Sequence, residues 1–517
     1  MNYKSFKYSE LEFLLNFIPF KKKPYLHQLV SFSFVLSQGL NKIFLFHDIG
    51  LGKTFTALYL LMLWDVKGRI LVISPNSVIK TWKEQIEEYT DFSYEVLDGS
   101  SDKRLQRIIE SKAKILIINY EGLKLIGARK IGKNESCGKK SKGYMIDLNS
   151  IKKLSFEAVI ADESHRFKDP LSIQTRISNA IVKRARYAIL MTGTPIGNSA
   201  IDLYGQCYVL DDGAIFGTNY NYFLRHFYYK PTVMSYNWEP KRVCGICNEL
   251  YDYKKRHLEK HKISLHDYRK RFPKEKTSED LIIEAVKDIS ISYKKEECLD
   301  LPERIYEERS VYPTAEQQTW ISNIIVGLKI EEIKKNLKYH IIRLLQITGG
   351  SLIHGENKTH IFRDNPKIEE LNILLSELSG QIIIYHLFIE ESILIKRLLD
   401  KKKISYSLLN GGIKNKEEQI NFFLNGKSQI LIAHPKSGGE GLNLQCATNM
   451  IFYSSSFMGT ILREQAEGRI HRSGQKNTCL YFDIIMEDTV DRILFDSLKN
   501  RTDYIYNMMK YLTENKK

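Results

Sequence analysis

Ala161-Asp162-Glu163-Ser164-His165-Arg166-Phe167-Lys168-Asp169-Pro170-Leu171 comes directly after the apolar run Phe156-Glu157-Ala158-Val159-Ile160. An apolar run that ends in two adjacent carboxylates predicts a buried parallel strand carrying Asp162 and Glu163 at its C-terminal tip. Open α/β sheets bind their ligands at such tips. An Asp-Glu pair alone decides little, because surface turns contain such pairs often. The upstream chain decides it. Lys42-Ile43-Phe44-Leu45-Phe46-His47 reads as another strand, followed by Asp48-Ile49-Gly50-Leu51-Gly52-Lys53-Thr54 and a helical apolar period at Ala57, Leu60, Leu61 and Trp64. A strand, a glycine-rich loop ending in Gly-Lys-Thr and a helix, with acids on a later strand, predict a nucleotide-driven motor site.

Around this pair the chain alternates between strands and helical stretches. Ile70-Leu71-Val72-Ile73 ends in Ser74-Pro75, Ile115-Leu116-Ile117-Ile118 ends in Asn119-Tyr120-Glu121, and Ala188-Ile189-Leu190-Met191 ends in Thr192-Gly193-Thr194-Pro195. Such alternation predicts a doubly wound parallel sheet of α/β class. Residues 1–40 read as helical and amphipathic. Within them Gln28 carries an amide that both donates and accepts, which suits the edge of an adenine. A polar insert with Arg129, Lys130, Lys133, Lys139, Lys140 and Lys142 reads as a surface loop. Residues 201–365 are helical, irregular and aromatic-rich. A second alternation follows at Gln381–Tyr385, Gln429–Ala433, Asn449–Tyr453 and Leu480–Ile485. The expected organisation is therefore a first lobe over 1–200, a helical protrusion over 201–365, and a second lobe over 366–517. That second lobe should end in a helix that packs Val490, Ile493, Leu494 and Leu498 as core.

The 77 Lys+Arg against 61 Asp+Glu leave a formal charge of +16, which favours a polyanionic partner, nucleic acid first. No segment reaches the roughly 18 uninterrupted apolar residues of a membrane span. The N-terminus lacks the order of a secretory signal. An intracellular protein is expected, in a bacterial or host-cell cytoplasm if the source is a phage or virus. Five of the seven cysteines are scattered, so no disulfide framework is expected.

In order along the chain, these motifs resemble those of the SWI/SNF-like ATPases of helicase superfamily 2. Gly50-Leu51-Gly52-Lys53-Thr54 is similar to motif I, Asp162-Glu163-Ser164-His165 to motif II, and Thr192-Gly193-Thr194-Pro195 to motif III. In the second half, Ser437-Gly438-Gly439-Glu440-Gly441-Leu442-Asn443-Leu444 resembles motif V. Gln465-Ala466-Glu467-Gly468-Arg469-Ile470-His471-Arg472-Ser473-Gly474-Gln475 resembles motif VI, whose His-Arg-x-Gly-Gln ending is unusual in RNA helicases. Ser74-Pro75, Trp82, Leu301-Pro302 and Asn410-Gly411 also stand where the family has comparable residues. The resemblance implies two RecA-like lobes and an ATP-driven translocase on duplex DNA. Phosphate chemistry then assigns roles. Backbone N–H groups around Gly50 and Gly52 cradle phosphates, Lys53 neutralises their oxygens, and Thr54 with Asp162 holds Mg²⁺. Glu163 orients or deprotonates the attacking water. Arg469 and Arg472 act as arginine fingers, and Gln465 helps place the water or γ-phosphate. The sequence departs from the fuller phosphate-loop pattern at His47, where a Gly is usual, and has Ser164 for the commoner Ala.

Cys244-Gly245-Ile246-Cys247, nine residues, then His257-Leu258-Glu259-Lys260-His261 form a separate pattern. Two thiolates in a tight knuckle and two histidines at i and i+4 of a helix suit tetrahedral Zn²⁺. The pair His261 and His266 is the alternative, about 140° apart around a helix. With Arg256-His257-Leu258 and Tyr268-Arg269 the stretch, about 241–272, resembles the Ros/MucR-type prokaryotic finger. Lys254, Lys255, Arg256, Lys260, Lys262, Arg269, Lys270 and Arg271 surround it, a basic face suited to phosphates or to solvent. Two other functions share these motifs: a strand-separating DNA or RNA helicase, and a zinc-finger DNA-binding adaptor with a weak motor. The motif VI ending disfavours the first. The presence of Lys53, Asp162, Glu163, Arg469 and Arg472 disfavours the second.

Overall fold

The computed structural model describes residues 5–130, 144–146, 151, 154–197, 199–231, 238–252, 257, 260–262, 264–272, 275–327, 330–354, 358–413, 415–435, 442–454 and 459–500. The chain divides into two units, Met1–Cys298 and Leu299–Lys517. Each is built on its own parallel sheet.

In the first unit α1 (Leu26–Ser37) is followed by β1 (Lys42–His47), α2 (Lys53–Leu63), β2 (Ile70–Ser74), α3 (Ile79–Tyr89), β3 (Tyr94–Val96), β4 (Ile115–Asn119), β5 (Ala158–Asp162), β6 (Tyr187–Met191) and β7 (Ser290–Tyr293). The strands pair in the order β7-β1-β6-β5-β2-β4-β3, every pair parallel. Every residue of β2, β5 and β6 is buried, as strands covered on both faces must be. On one face Phe44, Leu71, Ile118, Val159 and Leu190 pack with Ile177, Leu203 and Tyr204. The N-terminal region is less regular than its composition suggests. A short helix at Tyr8–Leu11 is separated from α1, because Pro24 disfavours helical backbone at Lys23. Phe20 bridges the gap by stacking on Tyr59 of α2, ring centroids 4.5 Å apart. Of the lysine-rich insert, Arg129 and Lys130 fall on a short strand paired with Tyr144–Ile146. Lys133, Lys139, Lys140 and Lys142 lie outside the described residues.

The second unit contains β8 (Arg304–Val311), α4 (Pro366–Glu377), β9 (Ile382–Tyr385), α5 (Ile389–Lys402), β10 (Tyr406–Leu409), β11 (Ile430–Ala433), β12 (Asn449–Phe452), α6 (Thr460–Glu467), β13 (Cys479–Met486) and α7 (Val490–Lys499). Its order is β8-β13-β12-β9-β11-β10, again with all pairs parallel. Val490 and Leu494 of α7 join Ile341, Leu344 and Leu352 in one core.

The division at Cys298 falls inside the stretch 201–365 expected as a protrusion. Ser290–Tyr293 forms the edge of the first sheet through β1. Arg304–Val311 forms the edge of the second through β13. Both are edge strands. Exposure spares them the long apolar run by which interior strands are recognised, and β8 reads Arg-Ile-Tyr-Glu-Glu-Arg-Ser-Val.

A buried ion pair ties α4 to α7. Lys367 Nζ lies 2.5 Å from Asp491 Oδ2, with side chains 0% and 3% exposed. Lys367 also donates to the Tyr453 carbonyl, and Asp491 accepts from Met486 N–H. Removing one partner strands the other charge in the core. Asp491→Ala should therefore lower the stability of the second unit by about 3 to 5 kcal/mol, measured by urea unfolding. A loss below ~1 kcal/mol would contradict this role for the pair.

Candidate functional site

Adjacency of β1, β6 and β5 places motifs I, III and II side by side. The loop after β1 turns through Gly50 at φ 94° and Gly52 at φ 75°, a left-handed backbone that glycine adopts without a Cβ clash. Gly52 is the N-cap of α2, so the loop delivers the open N–H end of a helix, the standard cradle for phosphate. Lys53 Nζ reaches back over the loop to the His47 carbonyl at 2.9 Å and the Asp48 carbonyl at 3.4 Å. Thr54 follows in the first turn of the helix. Gly193 of motif III closes one side, and a Cβ there would meet Ile49 at 3.0 Å and Lys53 Nζ at 3.5 Å. His47, in place of the usual glycine, ends β1 with its imidazole fully buried. Burial, then His27 and Lys53, push its pKa well below the ordinary value, so it stays neutral. The edge strand β7 braces this loop, with Asp48 N–H donating to the Tyr293 carbonyl and Lys295 N–H to Asp48 Oδ2.

Gln28 lies against the loop, but its amide is already engaged. Its carbonyl accepts from Tyr25 N–H at 2.9 Å, closing the start of α1, and its NH₂ donates to the Leu51 carbonyl at 3.3 Å. The side chain is 3% exposed. An unsatisfied helix N-terminus claims the nearest acceptor, a demand that spacing alone does not display.

Asp162 ends β5 and Glu163 leaves it at φ 56°. A left-handed non-glycine residue is strained backbone, and such strain clusters at functional positions. Three side chains meet there. His165 Nδ1 lies 3.2 Å from Glu163 Oε2 and 3.0 Å from Thr192 Oγ1, while the Thr192 hydroxyl donates to Glu163 Oε2 at 3.4 Å. Motif III thus holds the acid of motif II. Asp162 is 8% exposed. Burial, then the adjacent Glu163, push its carboxyl up to about 7, while the Trp82 indole N–H, Lys53 and the Glu163 amide pull the other way. The Tyr120 hydroxyl donates to the Asp162 backbone carbonyl.

In the second unit, Arg469 Nη1 and Arg472 Nη1 both point to the Leu442 carbonyl, at 3.5 and 3.4 Å. Burial lowers the pKa of Arg472. Gln465, on α6, is 2% exposed. The motif VI ending is built as scaffold. His471 Nε2 lies 2.9 Å from the Pro302 carbonyl, and the Gln475 NH₂ donates to the carbonyls of Gln445 and Ile470 at 3.1 and 3.2 Å. Ser437–Gly441 of motif V lies outside the described residues.

Cys244, Cys247, His257 and His261 converge, their ligand atoms all within 4.8 Å of one another. A zinc ion bonded at the usual lengths spaces its sulfur and nitrogen donors roughly 3.3 to 3.8 Å apart. Cys244 Sγ lies 3.6 Å from His261 Nε2, and Cys247 Sγ 3.4 Å from His257 Nε2. Burial pushes the Cys244 thiol up, yet the backbone N–H groups of Cys247 and Ile246 and the Tyr268 hydroxyl hold it below its usual value. The Tyr268 hydroxyl also accepts from Gly245 N–H at 2.7 Å, bracing the knuckle. Residues 253–256 and 258–259, including Lys254, Lys255 and Arg256, lie outside the described residues, and so does the helix expected around the two histidines.

The SNF2-related domain family matches residues 25–347, and the helicase conserved C-terminal domain matches residues 366–474. The "Uncharacterized ATP-dependent helicase YqhH" of Bacillus subtilis is 23% identical over 482 residues, 90% of this chain and 76% of that protein. "Putative protein p41" of Acyrthosiphon pisum secondary endosymbiont phage 1 is 22% identical over 506 residues, covering 92% of this chain and 95% of that one. The Sulfolobus solfataricus SWI2/SNF2 ATPase core in complex with dsDNA compares at a TM-score of 0.40 and 19% identity, covering 96% of this chain and 94% of that chain. With the phosphate loop, the strained acid and both conserved segments in order, the chain belongs to the SNF2-related family of helicase-like ATPases.

Proposed function

We propose that this enzyme hydrolyses ATP to translocate along duplex DNA and remodel what is bound there, without obligatory strand separation. The side-by-side placement of Lys53, Asp162, Glu163 and Thr192 at three adjacent strand tips carries the assignment. Lys53 and the N–H groups at Gly50 and Gly52 bind the phosphates. Thr54 and Asp162 would hold Mg²⁺, which would supply charge neutralisation to the phosphates. Glu163 orients the water and accepts its proton, with His165 and Thr192 fixing the carboxylate. Arg469 and Arg472 supply the positive charge that phosphoryl transfer requires, and either one replaced by Ala should abolish turnover. Gln465 helps place the water or γ-phosphate, and Gln28 braces the phosphate loop through the Leu51 carbonyl.

The +16 formal charge supports a nucleic-acid partner. Turnover compared without nucleic acid, with single strands, with duplex DNA and with RNA tests the choice. Duplex DNA should stimulate most, with little dependence on sequence, since phosphate contacts are blind to base identity. Affinity should fall with salt at a log–log slope of about −0.9 per phosphate neutralised. Stimulation by RNA alone overturns the assignment. Robust separation of a tailed duplex without triplex displacement favours the strand-separating helicase instead.

Cys244, Cys247, His257 and His261 form one structural zinc site. The match of the sulfur–nitrogen spacings to tetrahedral zinc supports it. Whether the finger's basic face touches DNA is tested by the salt slope of a Lys270→Ala, Arg271→Ala variant, which should drop by about 2 if both contact phosphates.

A further inference from the structure

Trp82 lies on α3 and is 1% exposed. Its indole Nε1 donates to Asp162 Oδ2 at 3.0 Å, while Asp162 Oδ1 accepts from Glu163 N–H at 3.0 Å. Each carboxylate oxygen therefore has one fixed donor. A carboxylate offers about four lone-pair sites, so each oxygen keeps one for a metal. An indole is only a donor, and a buried N–H must be paired. That requirement alone is met by any acceptor. Here it is met by one oxygen of the Asp162 carboxylate. The orientation of Asp162 is thus set from both sides before any cation arrives.

We propose that Trp82 is a positioning residue for magnesium: its indole N–H holds the Asp162 carboxylate turned for the ion. The proposal rests on Asp162 being a magnesium ligand. Outer partners of metal ligands of this kind change metal affinity by about 10- to 100-fold when removed. The contact also joins α3, which follows the Ser74-Pro75 tip of β2, to the acid at the tip of β5. A shift of α3 is therefore felt at the metal ligand.

Trp82→Phe keeps an aromatic ring in the core and removes the donor, at the cost of some packing volume. The readout is Mn²⁺ affinity of the 1:1 protein complex with a non-hydrolysable ATP analogue, followed by the EPR signal of free Mn²⁺. Trp82→Phe should bind Mn²⁺ about 10-fold more weakly, with nucleotide affinity in EDTA unchanged within about twofold. In turnover the Mg²⁺ concentration for half-maximal rate should rise, while kcat at saturating Mg²⁺ recovers to within a few-fold. Asp162→Asn serves as reference. If Asp162→Asn retains Mn²⁺ affinity, the ligand assignment fails. If Asp162→Asn loses it and Trp82→Phe matches the wild type, the positioning role fails and the indole is only core. A second measurement does not need Trp82→Phe to fold. The chain has four tryptophans, and Trp64→Phe, Trp238→Phe, Trp320→Phe leaves Trp82 as the single indole. Its ¹⁵N–¹H signal should move when Mg²⁺ is added to the analogue complex. An unmoved signal overturns the proposal.

Discussion

Glu163→Gln should bind ATP with near wild-type affinity and turn it over at least ~10²- to 10⁴-fold more slowly. The substitution is nearly isosteric. The amide oxygen still accepts from the Thr192 hydroxyl, so the contact that orients the side chain survives. What disappears is the charge that takes a proton from water. Because Glu163 sits at φ 56°, its side chain is aimed by backbone geometry that either residue must adopt, so the variant tests chemistry rather than placement. Binding of a fluorescent ATP analogue and single-turnover hydrolysis, on protein free of contaminating ATPase, separate the two effects. Turnover within about tenfold of wild type would remove Glu163 from the proposed role.

Zinc removal should produce a comparably large effect, confined to the finger. Small zinc sites contribute about 10 to 16 kcal/mol of folding free energy in peptides. Around this knuckle, Cys244, Tyr251 and Tyr268 are the buried residues of a cluster joined by Phe272, far too few to replace that contribution. Protein purified without chelator should carry one zinc per chain, and Cys247→Ser should lose it. Chelation should expose amides around 244–272 to hydrogen exchange. The sheets, each with its own core, should stay protected. Absence of zinc, or unchanged metal content in Cys247→Ser, would exclude the site.

Most of the nucleotide site was legible in the residues because phosphate chemistry demands particular groups at fixed spacing. A Gly-Lys-Thr loop after an apolar strand and an Asp-Glu pair at another strand tip leave few alternatives. The convergence of Cys244, Cys247, His257 and His261 follows a spacing that tetrahedral zinc would require. The partners of Gln28 were not legible: a helix terminus and the Leu51 carbonyl engage its amide.

The sequence by itself determined the two parallel α/β sheets, the identity of the phosphate loop and acids, and the candidate zinc ligands, because each is local: an apolar run, a turn, a short spacing. Only the tertiary structure decided the rest. It recruited Ser290–Tyr293 and Arg304–Val311 as sheet edges, where exposure removes the apolar pattern that marks a strand. It brought Thr192 to Glu163 across the β5–β6 pair, Trp82 to Asp162 from 80 residues away, and Lys367 to Asp491 in the second unit. Strand order sets those partnerships, and strand order depends on long-range packing that no single stretch of residues encodes.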